Sequence, residues 1–319
     1  MPQSTTEAAA GPATGAGPTT VERIGFGIAC AVAGMFGMAI MDTCAKLLGA
    51  GYAISQLVLV RNGIGAVAVL AFVLVSRGGL ATLRPRQPVL LLLRTVTNIG
   101  AAFLFFSGLR YLPLADAFAI AFAAPLFVTG LSVPMLGEHV GLRRWAAVIV
   151  GFIGVLVVVQ PGTDSFQPAA LLPLGAALSY ALAMLLGRKL TRSLSTPTIM
   201  FWPSLGAVLA MAVMIPPDWQ TPTLPDTGTF LLMGIIGTLG AALITQGYRH
   251  APAAVIAPFD YSVLLWGVIF GWLLWNDIPG PNVWIGASLL VASGLYILHR
   301  ETRKPKPVQP VPGPMGPTS

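Results

Sequence analysis

The sequence predicts an all-α integral membrane protein: ten transmembrane helices arranged as two inverted five-helix repeats, with both termini cytoplasmic. Three observations carry that prediction: apolar runs of membrane-spanning length, a one-sided distribution of basic residues, and a pattern shared by the two halves of the chain. Of 319 residues, 55% are hydrophobic and only 9% charged, and the mean hydropathy is +0.79. Soluble domains carry about a quarter charged residues, so lipid is the expected solvent. Backbone polar groups in lipid must be satisfied within a helix or around a closed barrel. The apolar runs lack the strict alternation of barrel strands, which leaves helices.

The spans predicted in chain order are 24–48, 53–75, 88–109, 114–136, 144–160, 168–190, 196–215, 228–249, 252–274 and 280–299. Each is close to the roughly 20 residues that cross about 30 Å of hydrocarbon at about 1.5 Å per residue. Spans 1 and 8 hold glycine-rich stretches, "GFGIACAVAGMFG" and "GIIGTLG", which permit close backbone approach and equally serve tight packing or sliding. Pro125 predicts a kink in span 4, and Pro258 predicts an interrupted helix in span 9. The first run is too long and too far from the N-terminus for an ordinary signal peptide, so it is expected to be retained. Residues 1–20 and 303–319, rich in Ala, Gly, Pro and Thr and in Pro respectively, are predicted tails. The repeats are then expected over 21–162 and 163–302.

Fourteen of the 18 Lys and Arg residues fall on one side of this arrangement: Arg23, Arg77, Arg84, Arg86, Arg143, Arg144, Arg188, Lys189, Arg192, Arg249, Arg300, Arg303, Lys304 and Lys306. The other side holds Arg110, while Lys46, Arg61 and Arg94 lie within spans. Basic loops stay cytoplasmic, which predicts a cytoplasmic location for both termini. The net charge of +7 is thereby explained without nucleic acid. Cys30 and Cys44 share span 1 and give no disulfide framework. His139, His250 and His299 lack metal-ligand neighbours, and no Gly-Lys-Ser/Thr phosphate loop is present, so neither a metal, another cofactor nor ATP is expected.

"SGLRYLPLA" (107–115) and "QGYRHAPAA" (246–254) align without gaps, pairing Gly108 with Gly247, Arg110 with Arg249 and Pro113 with Pro252. The same offset goes on to pair Glu138 with Asp277, Gly141 with Gly280 and Trp145 with Trp284. A weaker match at a slightly larger offset pairs Met41, Lys46 and Leu47 with Met184, Lys189 and Leu190. Five helices per unit is an odd number, so the second copy enters from the opposite side. Inverted repeats let two halves exchange conformations around a central cavity, although duplication also serves simply to build a bundle.

Charges in hydrocarbon cost at least about 2.5 to 3.5 kcal/mol each on insertion scales and usually face a cavity or one another. Asp42 and Arg61 lie at similar distance from the turn near Gly51, which predicts a salt bridge, either as a helix lock or as part of a cavity. Lys46 is expected to snorkel toward the interface. Asp260, just after Pro258, is expected to bind a cationic group or carry a proton, or to be capped by Tyr261 or Ser262. Asn98, Trp202 with Pro203, Gln246 and Trp266 are further candidates for a small-molecule site; such amides and indoles also bridge helices or sit at interfaces.

The sequence resembles the drug/metabolite transporter superfamily, of the EamA type with two five-helix repeats. The resemblance runs from residue 24 to 300 and is carried by "MDTCAKLLG", "VRN" (60–62), "GLRYLPLADA", "LGEHVGLRRWAAVIVGFIGVLVVVQPG" (136–162) and "RHAPAAVIAPFDYSVLLWGVIFGWLLWNDIPGPNVWIG" (249–286). It implies gradient-driven transport of a small metabolite across the bacterial inner membrane, without ATP and without enzymatic activity. The branch with Asp and Lys in helix 1 is similar to transporters of S-adenosylmethionine or riboflavin, and more distant relatives export amino acids. Asp260 stands where that branch has Glu, and Asn276-Asp277 stands where the first repeat has Gly137-Glu138. The candidate substrate-binding or coupling residues are Asp42, Lys46, Arg61, Asn98, Trp202, Gln246, Asp260 and Tyr261. The expected partners are a small-molecule substrate and the bilayer, with a monomer and a dimer left open. An intramembrane enzyme would need clustered His, Cys or paired carboxylates, and a channel would favour polar rings from an oligomer. The sequence shows neither pattern.

Overall fold

The computed structural model describes residues 20–75, 79–137, 140–163, 165–191, 193–214, 219–251 and 253–302. Both expected tails, apart from Thr20 at the start of the first helix, lie outside the described residues, as do Arg77, Glu138, His139 and Arg192. Twelve helices follow in order: α1 (Thr20–Gly49), α2 (Ile54–Val75), α3 (Pro88–Leu109), α4 (Leu114–Ala121), α5 (Ala124–Leu136), α6 (Leu142–Val159), α7 (Leu171–Leu190), α8 (Thr196–Met214), α9 (Leu224–His250), α10 (Ala253–Asp260), α11 (Ser262–Trp275) and α12 (Pro281–Thr302). No strand occurs among the described residues. Ten stretches are long and apolar enough to cross a membrane, with α4 and α5 forming one crossing and α11 with the end of α10 another. Ten crossings return the chain to the face on which it entered. That face is called the tail face below, and the opposite one the far face.

The two broken crossings are related by the repeat. Pro125 has no N–H to give and its ring crowds the preceding turn; tight i→i−3 bonds, Ala123 N–H to Ile120 and Leu126 N–H to Ala123, carry the chain past Phe122. Pro258 lies in the last turn of α10, and Leu264 N–H bonds back to Tyr261 in the same manner. Phe122 and Tyr261 are counterparts at the offset that pairs Arg110 with Arg249. Their rings meet with centroids 4.6 Å apart at 31°. The helices after the breaks end alike, with Gly137 (φ 68°) and Asn276 (φ 56°) both left-handed. Asn tolerates that region better than other residues with a side chain, which explains why it can replace glycine there.

α1 packs along α9, and in the repeat-related contact α7 packs along α3; α2 meets α8 and α6 meets α12. The glycine-rich stretches of α1 and α9 face each other: a Cβ on Gly34 would lie 2.8 Å from the Gly240 carbonyl. On the α6–α12 contact a Cβ on Gly154 would come equally close, 2.8 Å, to the Gly286 carbonyl. Between helices in lipid, where apolar burial gives little driving force, such backbone approach supplies the packing. The bundle is not symmetric across the membrane. At the far face α4 packs on α11, whereas their counterparts at the tail face, α10 and α5, make no comparable contact among the described residues.

Candidate functional site

At the far face polar contacts tie the connections between helices together. In the last turn of α1, Lys46 Nζ donates to the Leu112 carbonyl at 2.8 Å, lies 3.5 Å from Asp277 Oδ2 and stands 4.7 Å from the centre of the Trp275 ring. It therefore ties α1 to the α3–α4 and α11–α12 connections. The Lys46 stem reaches the far-face connections, and there its ammonium has specific partners, which lowers the cost of holding it near the apolar region. Arg110 clasps the α1–α2 turn, donating from Nε to the Gly49 carbonyl at 2.5 Å and from a terminal nitrogen to the Tyr52 carbonyl at 2.7 Å. Tyr52 in turn donates to Asp226 at 2.7 Å, and Gln56 donates to the Gln220 carbonyl at 2.8 Å. The seam residues Lys46, Arg110 and Asp277, with Tyr111, Gln167 and Trp275, line a cavity of about 770 Å³. A smaller cavity of about 240 Å³ adjoins it at Gln167 and reaches Asp116.

One turn deeper, Asp42 is buried, 6% exposed. The half-buried Arg61 guanidinium stands 5.5 Å from the centre of the Phe106 ring. Asp42 and Arg61 are within electrostatic reach, but their side chains do not form the ion pair that equal depth suggests; Lys46 with Asp277 does. Counting residues from the turn gives depth and leaves the facing direction open, and α2 turns Arg61 toward Phe106 of α3.

The break between α10 and α11 collects a second group. Asp260, the last residue of α10, accepts from the Tyr248 hydroxyl of α9 at 2.5 Å through Oδ2. Its other oxygen, the Ser262 hydroxyl and the Trp266 indole N–H are all buried without a partner. Tyr180 of α7, within electrostatic reach of both Asp260 and Arg94 of α3, is 54% exposed although it belongs to a helix packed against α3. Trp266 meets Phe36 of α1 edge-on at 4.8 Å, and Tyr261 is occupied by its contact with Phe122.

The remaining expected residues are dispersed. Asn98 is half-buried in α3, and Gln246 is exposed, its backbone carbonyl 2.9 Å from His250 Nδ1. Trp202 donates to the Leu83 carbonyl at 2.8 Å and packs beside Leu91, Leu190 and Ile199, away from Asp260. Tyr180, Tyr248, Asp116 and the pairing of Lys46 with Asp277 escaped sequence reasoning. The repeat match of Asp277 with Glu138 was the available sign for the last of these. Among the described residues no cluster of three metal-ligating side chains occurs.

Helices of membrane length, paired breaks and a polar seam at one face define a multi-pass membrane protein built of two related halves. The chain belongs to the EamA-like transporter family, whose model matches residues 25–160 and 167–299. It is 33% identical over 248 residues to a riboflavin transporter of Vibrio cholerae, covering 77% of this chain and 83% of that one. It is 27% identical over 265 residues to an S-adenosylmethionine uptake transporter of Rickettsia bellii, covering 82% and 89%. A pseudopaline exporter of Pseudomonas aeruginosa is 29% identical over 271 residues, covering 84% and 94%. A solved crystal structure shares the fold with a TM-score of 0.61 at 20% identity, covering 86% of this chain and 99% of that one. The protein is a membrane transporter.

Proposed function

We propose that the protein is a secondary transporter that moves a small polar metabolite across the bacterial inner membrane by alternating access, with its tails in the cytoplasm. The observation that carries this reading is the asymmetry of the broken crossings: α4 rests on α11 at the far face, while α5 and α10 lack that contact at the tail face among the described residues. Two halves related by inversion can exchange these arrangements, so the central residues meet one compartment at a time. In this reading separation of α5 from α10 opens the path toward the tail face, and the Lys46, Arg110 and Asp277 contacts hold the far-face connections together.

In this reading Asp260 and Tyr261 line the substrate path, and the buried Asp42 with the half-buried Arg61 forms a charge set below the far seam that responds to the exchange. Riboflavin, S-adenosylmethionine and an amino acid are the substrates to try first, in view of the relatives' names. The driving force is a proton gradient or substrate exchange, with no cofactor and no chemical conversion. The test is uptake of each labelled compound into proteoliposomes, with and without an imposed pH gradient and with and without unlabelled compound inside. Saturable flux that responds to one of those gradients is expected. Flux that stays linear with concentration, or is equal in protein-free vesicles, overturns the reading.

A further inference from the structure

The chain keeps basic residues out of its far-side loops with one exception: of 18 Lys and Arg residues, only Arg110 lies in a loop on that side. Lys46, in the last turn of α1, reaches the same place, and the two cations line the cavity of about 770 Å³ together. Neither is fully occupied. Arg110 spends Nε and one terminal nitrogen on the Gly49 and Tyr52 carbonyls, which leaves three of its five N–H groups, among them the edge formed by the two terminal nitrogens. The described residues give its guanidinium no carboxylate partner. Lys46 has three donors; one goes to the Leu112 carbonyl at 2.8 Å and a second reaches Asp277 at 3.5 Å, the long limit of a hydrogen bond. Among the described residues Asp277 is the one carboxylate in this wall, whereas Asp116 borders the smaller cavity. Two cations against one carboxylate leave the wall with a positive excess, and Tyr111 and Gln167 add a hydroxyl and an amide. A free guanidinium edge matches two oxygens of a carboxylate or phosphate at once.

We propose that this far-face cavity binds an oxyanionic group, a phosphate or a carboxylate, held by the free edge of Arg110 with Lys46 as the second cation. Its volume of about 770 Å³ falls in the range that takes whole small molecules and far exceeds an inorganic ion. The oxyanion is therefore the head of a larger molecule, either a soluble anion from the far compartment or a phospholipid headgroup of the far leaflet. Binding has a mechanical consequence. Arg110 holds the α1–α2 turn, and Lys46 joins α1 to the α3–α4 and α11–α12 connections, so an anion shared by both cations ties all three connections through one ligand. The site stands on the far-face geometry and is independent of which solute the protein carries.

The test is a tryptophan-fluorescence titration of the full chain in lipid-free detergent, with inorganic phosphate as the probe and chloride at matched ionic strength as the control for screening. The Trp275 ring lines the cavity, its centre 4.7 Å from Lys46 Nζ. Emission is therefore expected to change saturably with phosphate and not with chloride, and the change is expected to vanish in Trp275→Phe. Arg110→Gln removes the fork and is expected to weaken phosphate binding about 10-fold, the scale of a charge-assisted pair. That substitution also frees the α1–α2 turn, so Gln167→Glu serves as the second variant. It adds a carboxylate to the wall, takes part in none of the seam's hydrogen bonds, and is expected to weaken binding by about the same factor. A response that does not saturate, one that survives in Trp275→Phe, or undiminished binding in both Arg110→Gln and Gln167→Glu overturns the proposal. The same titration in phosphatidylglycerol nanodiscs separates the two sources. Phosphate affinity equal to that in detergent assigns the site to a soluble anion. Emission already shifted before phosphate is added, with phosphate affinity weakened about 10-fold or more, assigns it to the lipid headgroup.

Discussion

The two ends of the bundle are built from related sequence and are packed differently. At the far face, α4 and α11 are packed together, and Lys46, Arg110 and Asp277 tie the connections between helices into a seam. At the tail face the corresponding helices, α10 and α5, stand without that packing among the described residues. The offsets of the repeat place Lys189 where Lys46 stands and Arg249 where Arg110 stands, and Arg249 is exposed where Arg110 clasps a turn. The related residues therefore have different surroundings at the two ends.

The largest effect on that difference is expected from reversing the charge of the seam. Lys46→Glu places a carboxylate beside Asp277 and within electrostatic reach of Asp116, replacing attraction with repulsion in a partly desolvated place. Transport is expected to fall about 10-fold or more, the scale of a like-charge contact costing more than about 1.4 kcal/mol. The far face is also expected to loosen, which an Ala115→Cys reporter measures. Ala115 is buried on α4 against Gly267 of α11. With the two buried native thiols, Cys30 and Cys44, replaced by Ala, a membrane-impermeant maleimide added at the far face should label Ala115→Cys faster in the Lys46→Glu protein. Equal labelling rates would show that the seam does not hold this face closed. The double variant Lys46→Asp with Asp277→Lys restores opposite charges and is expected to recover slow labelling.

A smaller effect is expected from Asp277→Asn. Lys46 keeps its bond to the Leu112 carbonyl and its place beside Trp275, and Asp277 itself is one-third exposed, so the lost ion pair is screened by solvent. A two- to five-fold rise in labelling of Ala115→Cys, from roughly 0.4 to 1 kcal/mol of weakened closure, is the expected reading. A change as large as that of Lys46→Glu would place the closure in the ion pair alone.

Much of this architecture is legible in the sequence because lipid imposes few solutions. The ten crossings follow from length and hydropathy, and the inversion follows from an odd unit repeated. Pro125 and Pro258 foretell the two breaks, yet the breaks fall at Phe122 and Tyr261, since where the helix yields depends on which turn the surrounding helices support. The site is less legible. Asp42 and Arg61 have the right depth for an ion pair, but depth says nothing about the direction a side chain leaves its helix. Trp202 resembles a ligand-stacking residue by its letter and its span, whereas its indole N–H is taken by the Leu83 carbonyl. Tyr180 and Tyr248 give no sign in the sequence because a single tyrosine in an apolar run is unremarked until another helix brings Asp260 to it.

The smallest effect is expected at Trp202, and it sharpens the contrast between the two ends. Its indole bridges α8 to the Leu80–Leu83 turn on the tail-face side, and Thr198 of the same helix donates to the Thr82 carbonyl of that turn. Trp202→Phe removes one hydrogen bond and leaves the ring packed beside Leu91 and Ile199, so the expected loss is about 1 kcal/mol of thermal stability with little change in transport. The measurement is the unfolding midpoint in detergent beside the initial uptake rate. A lowered midpoint with an intact rate assigns Trp202 to the framework that holds α8 in place while the broken crossings move. A transport loss that exceeds the stability loss would instead bring this end of α8 into the moving part, and the tail face would then open by a shift of α8 as well as by separation of α5 from α10.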